Sequence, residues 1–186
     1  MSKLIFGNEM DKMADWTFRV MAFIFYVTDL FLPVNKKLAP FNIRNGATVV
    51  DYGSGTGRYL KMASELVGIS GTVYAVDIHE LAIKSAYRQI KKHDLRNVKP
   101  VKTDGNSTDI PSHCADLIFA LDMFHMIRNT FIFFNELHRI SKADGTLIIE
   151  DGHQPRSLSK EKILKSGLWE VVEENKTFLK CKPKKG

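Results

Sequence analysis

The feature that most constrains the fold is an alternation of strand-like and helix-like segments that starts at residue 47. The β-branched runs ATVVDYG and GTVYAVDI alternate with GRYLKMASELVG and ELAIKSAYRQIKKHDL, whose apolar residues recur every three or four positions. These periods are typical of strands and amphipathic helices respectively. Strands that alternate with helices form a mainly parallel sheet with helices on both faces. The sequence therefore predicts an α/β fold.

The remaining segments complete the predicted sheet. Three more strands are predicted in VKPVKTDG, CADLIFALDMF and GTLIIEDG, with a helix in NTFIFFNELHRISK and a turn at Ala143-Asp144-Gly145. The segment SLSKEKILKSG predicts a short helix with a serine cap, and WEVVEE and TFLKCKP, separated by NK, predict an antiparallel hairpin. The prediction is a doubly wound, mostly parallel sheet of seven strands with an antiparallel C-terminal hairpin.

Length and composition fit a single domain over residues 1–186, with residues 1–44 as an N-terminal helical cap and residues 45–186 as the core. The net charge of +6 is concentrated in IKKHDLRNVKPVK and in the tail KCKPKKG, which we interpret as solvated surface and a frayed terminus. Two cysteines do not suggest a disulfide framework and provide no metal-ligand pair, so we expect a cytoplasmic protein without a metal. The N-terminus does not resemble a secretion signal, and FRVMAFIFYVTDLFL is too short to span a bilayer comfortably.

A glycine-rich turn, VVDYGSGTGRYL, follows the first predicted strand. Glycine permits positive φ and lets the backbone approach a ligand closely. The N–H groups that open the next helix are unpaired and attract polar groups. Gly53, Gly55 and Gly57 therefore indicate either a ligand site or a plain tight turn.

Acidic residues support the ligand interpretation. Asp51, Asp77, Asp104 and Asp122 each stand at the end of one of the first four predicted strands. The carboxyl ends of parallel strands share one edge of the sheet, which is where such folds bind ligands. The sequence thus predicts a row of carboxylates beside the glycine turn.

The spacing of the glycines excludes two common nucleotide sites. A dinucleotide turn requires G-x-G-x-x-G/A, but the third position is Arg58 or Leu60, depending on the starting glycine. The phosphate-binding sequence G-x-x-x-x-G-K-[ST] is absent from the sequence. Asp51 would repel phosphate but attract an amino group, so we expect a ligand with an ammonium group, a ribose and a base.

The same residues resemble a known family. VVDYGSGTGRY resembles the first motif of class I S-adenosylmethionine-dependent methyltransferases, an acid followed by G-x-G-x-G. The resemblance continues over residues 45–152 through VYAVDIHELAI, VKTDGNSTDIP, ADLIFALDMFHMI and ELHRISKADGTLIIED, although the family often has Pro-Gly-Gly where this chain has Ala143-Asp144-Gly145. The chain is most similar to the ubiquinone/menaquinone-type branch. The resemblance implies a Rossmann-like fold, S-adenosylmethionine as cofactor and methyl transfer as activity.

The resemblance also implies where the methionine part of the cofactor lies. Asp51 is expected near its amino group, directly or through water. The turn residues are expected to let the backbone meet the methionine chain, and they are Gly53, Ser54, Gly55 and Gly57. Leu121 is expected beneath the cofactor near the sulfonium.

For the adenosine part, the resemblance implies four more contacts. Asp77 would accept both ribose hydroxyls, and no buried partner within the protein is expected for it. Ile78 would pack on the adenine, Asp104 would accept from its amino group, and the Gly105 N–H would meet a ring nitrogen. Two alternatives stay open, because Ile78 could be core and Asp104 could form a turn.

Candidates for a general base are His125, Asp122 and His153, of which His125 is preferred because imidazole titrates near neutral pH. The resemblance implies that the aromatic segment DWTFRVMAFIFYVTDLFLP covers a small lipophilic or aromatic substrate, and the alternative that stays open is an ordinary helix packed on the domain. Two alternatives remain open: an RNA methyltransferase, and a non-catalytic module that binds S-adenosylmethionine and acts through partners. The sequence alone leaves the oligomeric state open.

Overall fold

The computed structural model describes residues 13–31 and 37–184. The predicted cap therefore lies partly outside the described residues, as do residues 185–186 of the tail. The helices are α1 (Asp15–Phe31), α2 (Leu60–Val67), α3 (Glu80–His93), α4 (Thr130–Ile140) and α5 (Arg156–Lys165). The strands are β1 (Thr48–Tyr52), β2 (Thr72–Asp77), β3 (Val98–Lys102), β4 (Ala115–Ala120), β5 (Ser141–Ile149), β6 (Trp169–Glu174) and β7 (Leu179–Pro183).

The seven strands form one sheet in the order β3-β2-β1-β4-β5-β7-β6. The first five strands pair in parallel, β7 pairs antiparallel with β5, and β6 pairs antiparallel with β7. This arrangement confirms the predicted α/β fold with its C-terminal hairpin. The chain runs outward from β1 to β3 and then returns to place β4 beside β1. The strand order reverses there, and such a switch point opens a crevice at the carboxyl edge of the sheet.

The core lies on both faces of the sheet because consecutive strand residues point to opposite sides. On β1, Val50 belongs to one buried cluster with Ile118 of β4, and Val49 belongs to the other with Leu117. Helices cover both clusters, so the strands read as continuous apolar runs. Burial of both faces fixes the positions of the strand ends that carry the site.

Two predicted boundaries are wrong. The turn predicted at Ala143-Asp144-Gly145 lies inside β5, where the pairing with β4 shifts register between Ala115 and Leu117. A bulge accommodates the extra residues without ending the strand. Helix α5 begins at Arg156 after Pro155 and has no side-chain cap, so the predicted serine cap is wrong.

The tail is also more ordered than the sequence interpretation held. Lys182 and Pro183 belong to β7, and Lys182 Nζ donates to the Asp144 carbonyl at 2.6 Å and to Thr146 Oγ1 at 3.0 Å. The interpretation as a frayed terminus is therefore wrong for these two residues. The Lys182 ammonium thereby links β7 to β5, its neighbour in the sheet.

Helix α1 lies over the carboxyl edge of β2. The Phe18 ring stacks on the His79 ring with 4.6 Å between centroids, and His79 Nε2 lies 3.4 Å from Asp15 Oδ1. The Arg58 guanidinium sits 4.5 Å from the centre of the Phe25 ring. These contacts confirm a helical cap over residues 15–31. Among the residues that the structure describes, no helix has the length and apolar character needed to cross a membrane.

Candidate active site

A cavity of about 340 Å³ lies at the carboxyl edge of the sheet, between the glycine turn and α1. Eight of the predicted site residues line it, namely Gly53, Ser54, Gly55, Asp77, Ile78, Asp104, Gly105 and Leu121. Three others, Asp51, Gly57 and His125, are not among its lining residues. The fold thus gathers most of the predicted site from four separate segments of the chain.

The glycine turn is fixed to β2 by its backbone. The N–H groups of Gly53 and Ser54 donate to the Val76 carbonyl at 2.8 and 2.9 Å. Gly53 has φ of 84°, and a Cβ there would come within 2.8 Å of Met123 Cγ. Gly55 has φ of 51°, and the nearest atom to a Cβ built there would be 3.9 Å away. The turn therefore requires glycine for conformation at both positions, and it leaves open space at Gly55.

Asp77 links the turn to the start of α3. Its Oδ2 accepts the Gly55 N–H and its Oδ1 accepts the His79 N–H, each at 2.8 Å. The prediction that Asp77 has no buried partner within the protein is therefore wrong. Burial raises the pKa of this carboxyl, and the backbone N–H donors partly oppose that rise. Each carboxylate oxygen still has lone-pair capacity for a further donor.

Asp51 is buried behind the turn with only 2% of its surface exposed. Within the described part of the chain, its Oδ2 has no hydrogen-bond partner, and neither has the buried Ser54 Oγ. Burial, together with the negative charge of Asp77, raises the pKa of Asp51 well above its usual value. An unpaired buried carboxylate is costly, so this position favours a positively charged partner.

The end of β3 offers a weaker site. Asp104 is exposed, and its Oδ1 and Oδ2 accept the backbone and side-chain N–H groups of Asn106 at 2.8 and 3.0 Å. These donors lower the pKa of Asp104. The Gly105 N–H, which was predicted to meet a ring nitrogen, already donates to Thr103 Oγ1 at 3.0 Å. Asp104 thus forms a turn and lines the cavity at the same time.

Another part of the cavity is apolar. It is lined by side chains of α1 and of the segments around α4, including Phe18, Met21, Phe25, Met126, Ile132 and Phe133. The sequence did not indicate His79 as a site residue. This side chain lines the cavity, stacks on the Phe18 ring and pairs with Asp15. Its position two residues after Asp77 was the available indication.

His125 lies on a short 3₁₀ turn after β4, with its ring packed against Gly152 and 4.8 Å from the His153 ring. Burial is the main cause that lowers its pKa, and the charge of Asp122 opposes this shift. Of the three candidate bases, Asp122 is the one among the cavity-lining residues. The role of His125 stays a prediction.

The arrangement can bind a molecule that has a polar end and an apolar neighbour. The acidic residues Asp77, Asp104 and Asp122 line the cavity together with aromatic and methionine side chains. Within residues 13–31 and 37–184, no three His, Cys, Asp or Glu side chains are grouped so that they could hold a metal ion.

Comparison with known proteins identifies the class of this site. The family model described as a methyltransferase domain matches residues 43–184. A solved structure, the S-adenosylmethionine-dependent methyltransferase of Aquifex aeolicus, is 28% identical with a TM-score of 0.69, over 85% of this chain and 96% of that one.

The curated relatives are longer proteins that match smaller parts of this chain. The demethylmenaquinone methyltransferase of Geobacillus stearothermophilus is 25% identical over 61% of this chain and 49% of its own length. The catalytic subunit TRM61 of the Yarrowia lipolytica tRNA (adenine(58)-N(1))-methyltransferase is 33% identical over 44% of this chain and 20% of its own length. The matches thus span half or less of each of these relatives.

Proposed function

Because the chain belongs to the class I S-adenosylmethionine-dependent methyltransferases, whose cofactor is S-adenosylmethionine, we propose that it methylates a small lipophilic or aromatic molecule. The observation that carries this proposal is the division of one cavity into two chemically different walls. Asp77 and the glycine turn form the polar wall, and α1 contributes Phe18 and Phe25 to the apolar wall. The polar wall suits the cofactor, and the apolar wall suits the acceptor.

The residues present fit the cofactor. Asp77 has two oxygens that can each accept a further donor, which matches the two ribose hydroxyls. Asp51 has a buried oxygen without a partner in the described chain, which matches an ammonium group. Ile78 and Leu121 line the cavity and would pack against the adenine and the region of the sulfonium.

When bound, S-adenosylmethionine supplies a methyl group on a positively charged sulfonium sulfur, and the acceptor atom displaces that sulfur in line and takes the methyl group. The chain's own contribution is to align the acceptor and exclude water. Phe18, Met21 and Phe25 cover the cavity from α1, and Phe133 closes it from α4. Where the acceptor must lose a proton, Asp122 is the candidate base that lines the cavity.

The test is a transfer assay with methyl-labelled S-adenosylmethionine. The protein is incubated with a detergent-solubilised lipid extract of its source cells and, separately, with total RNA, and the Asp77→Asn variant serves as the negative control. We expect Asp77-dependent label in the organic phase. Label in RNA alone would overturn the proposed acceptor class, and cofactor binding without label in any fraction would favour a non-catalytic module.

RNA is the second candidate because one relative methylates tRNA and the chain carries a net charge of +6. Binding to RNA through phosphate contacts weakens steeply as salt is raised. A labelling rate that falls steeply between 50 and 200 mM salt would therefore favour RNA. A small neutral acceptor predicts a nearly flat salt dependence.

A further inference from the structure

The outward face of α1 is apolar and exposed. It consists of Trp16, Val20, Phe23, Ile24 and Val27. Their spacing of three and four residues places them on one side of the helix. Trp16, Phe23 and Ile24 leave 57%, 67% and 51% of their surface accessible. Contiguous apolar patches on a protein surface commonly mark an interaction site.

The orientation of α1 is set by its inner face. Phe18 is buried against His79, Asp15 pairs with the same imidazole, and Phe25 packs under Arg58. Rotating the helix to bury the outward face would break these contacts and remove Phe18 and Phe25 from the cavity. The exposed stripe therefore follows from the packing of the inner face.

Cations lie beside this outward face. Arg19 and Ala22 of α1 border a groove whose other side is formed by α3, including Lys84, Tyr87 and Arg88. The sequence of α1 alone contains one arginine and two aspartates, so it does not form a basic face. The fold adds Lys84 and Arg88 from a helix more than sixty residues further along the chain. Together with Arg19, these two side chains place three cations beside the outward face of α1, whereas the sequence of α1 alone supplies one.

We propose that the outward face of α1, with Arg19, Lys84 and Arg88, docks on a bilayer that contains anionic lipids. A helix with an apolar stripe and flanking cations lies in the plane of such a surface, and the cations are attracted to anionic headgroups. The inner face of the same helix lines the cavity. If the proposed acceptor is lipophilic, docking places the cavity next to the phase in which the acceptor dissolves, and this last step rests on the proposed function.

The test uses the full chain saturated with S-adenosylmethionine, without any acceptor. The chain has two tryptophans, and Trp169 is fully buried, so a change in emission on adding vesicles reports Trp16. We expect a blue shift and co-sedimentation with phosphatidylglycerol/phosphatidylcholine vesicles. Binding to pure phosphatidylcholine vesicles should be weaker by at least tenfold, because each cation near an anionic surface contributes roughly a fivefold factor.

Paired variants locate the surface. Phe23→Ser with Ile24→Ser should abolish vesicle binding, whereas Ile69→Ser should not, although Ile69 is 95% exposed in the turn before β2. Lys84→Gln with Arg88→Gln should weaken binding to anionic vesicles roughly twentyfold. The matched pair Lys91→Gln with Lys92→Gln removes the same charge from the last turn of α3 and should have a much smaller effect.

Equal loss in both charge pairs, or no binding by the folded wild-type chain, would overturn the proposal. Dimerisation that Phe23→Ser with Ile24→Ser abolishes would also overturn it and would assign the face to a second copy of the chain. Methyl transfer to detergent-solubilised extract is measured on the same variants. If a variant no longer binds vesicles but still transfers methyl groups, the docking surface is independent of the proposed function. If the wild-type chain binds vesicles but transfers no methyl group, only the proposed function is refuted.

Discussion

The two walls of the cavity are held in different ways. Backbone N–H groups of the glycine turn bind it to β2. The Gly53 N–H donates to the Val76 carbonyl, and the Gly55 N–H donates to the Asp77 carboxylate. The described contacts that hold α1 over the cavity are between side chains, chiefly Phe18 and Asp15 on His79. Backbone bonds within a buried sheet open rarely, whereas a helix held by a few side chains can lift at low cost. The difference indicates a fixed cofactor wall and a movable acceptor wall.

The largest effect is expected at the fixed wall. Asp77→Asn should weaken S-adenosylmethionine by about 1.5–3 kcal/mol, or ten- to a hundredfold, because it removes charge-assisted hydrogen bonds to the ribose. It should also lower the unfolding free energy by about 1 kcal/mol, because an amide nitrogen would face one of the two backbone N–H donors. Calorimetry and thermal unfolding measure both quantities.

The matched control is Asp104→Asn, on the next strand of the same edge. Asp104 is exposed and accepts from its own turn, so its loss should cost less cofactor affinity than loss of Asp77. Equal losses at both positions would contradict the idea that the Asp77 contacts preorganise the site. An unchanged affinity for Asp77→Asn with a much lower thermal midpoint would make Asp77 purely structural.

The fixed wall is also the part that the sequence predicts best. The residues of this wall stand close together in the sequence. A β-branched run ends in Asp51, the glycines follow directly, and Asp77 ends the next strand. Strand period and turn chemistry therefore determine their position. The contact of His79 with Asp15, and the groove that both Arg19 and Lys84 line, bring together residues more than sixty positions apart. Such contacts depend on how a helix docks, which no local pattern encodes.

The second prediction tests the movable wall. Phe18→Ala removes the ring that stacks on His79, so α1 should detach more often while the sheet edge stays intact. We expect the KM for the acceptor to rise about tenfold, in proportion to the loss of apolar contact, with a cofactor affinity within about threefold of wild type. Hydrogen exchange should show faster exchange over α1 than in the wild-type chain. A cofactor affinity that falls as far as in Asp77→Asn would show that the two walls are not independent.

The third prediction concerns the buried carboxyl behind the turn. Burial raises the pKa of Asp51 in the folded state, so the folded protein binds a proton more tightly than the unfolded chain. Its unfavourable contribution therefore grows as the pH rises from the unfolded pKa to the folded pKa and persists above it. Asp51→Asn should stabilise the cofactor-free protein by about 1–2 kcal/mol near neutral pH and by nothing below the ordinary carboxyl pKa.

The same variant should weaken S-adenosylmethionine about tenfold, because the ammonium group would lose its charged partner. Thermal midpoints of the cofactor-free protein between about pH 3 and 8, with calorimetry at pH 7, measure both effects. A lower midpoint at neutral pH would mean that Asp51 stabilises the turn instead of serving the ligand.

The smallest effect is expected at His125, which lies on the short 3₁₀ turn after β4. Its ring packs against Gly152 and His153 and is not among the cavity-lining groups, so His125→Asn should leave kcat within about twofold of wild type. A general base typically raises the reaction rate 10²–10⁴-fold, so a twofold change in kcat is easily distinguished from the loss of a base. Burial lowers the pKa of His125, so any acid limb due to this ring should be shifted to lower pH than for an ordinary histidine. Asp122→Asn is the comparison variant, because Asp122 lines the cavity. If His125→Asn instead removes that acid limb together with most of kcat, the segment after β4 must move toward the cavity when the ligands bind. The fixed part of the site would then be limited to β1, β2 and the glycine turn.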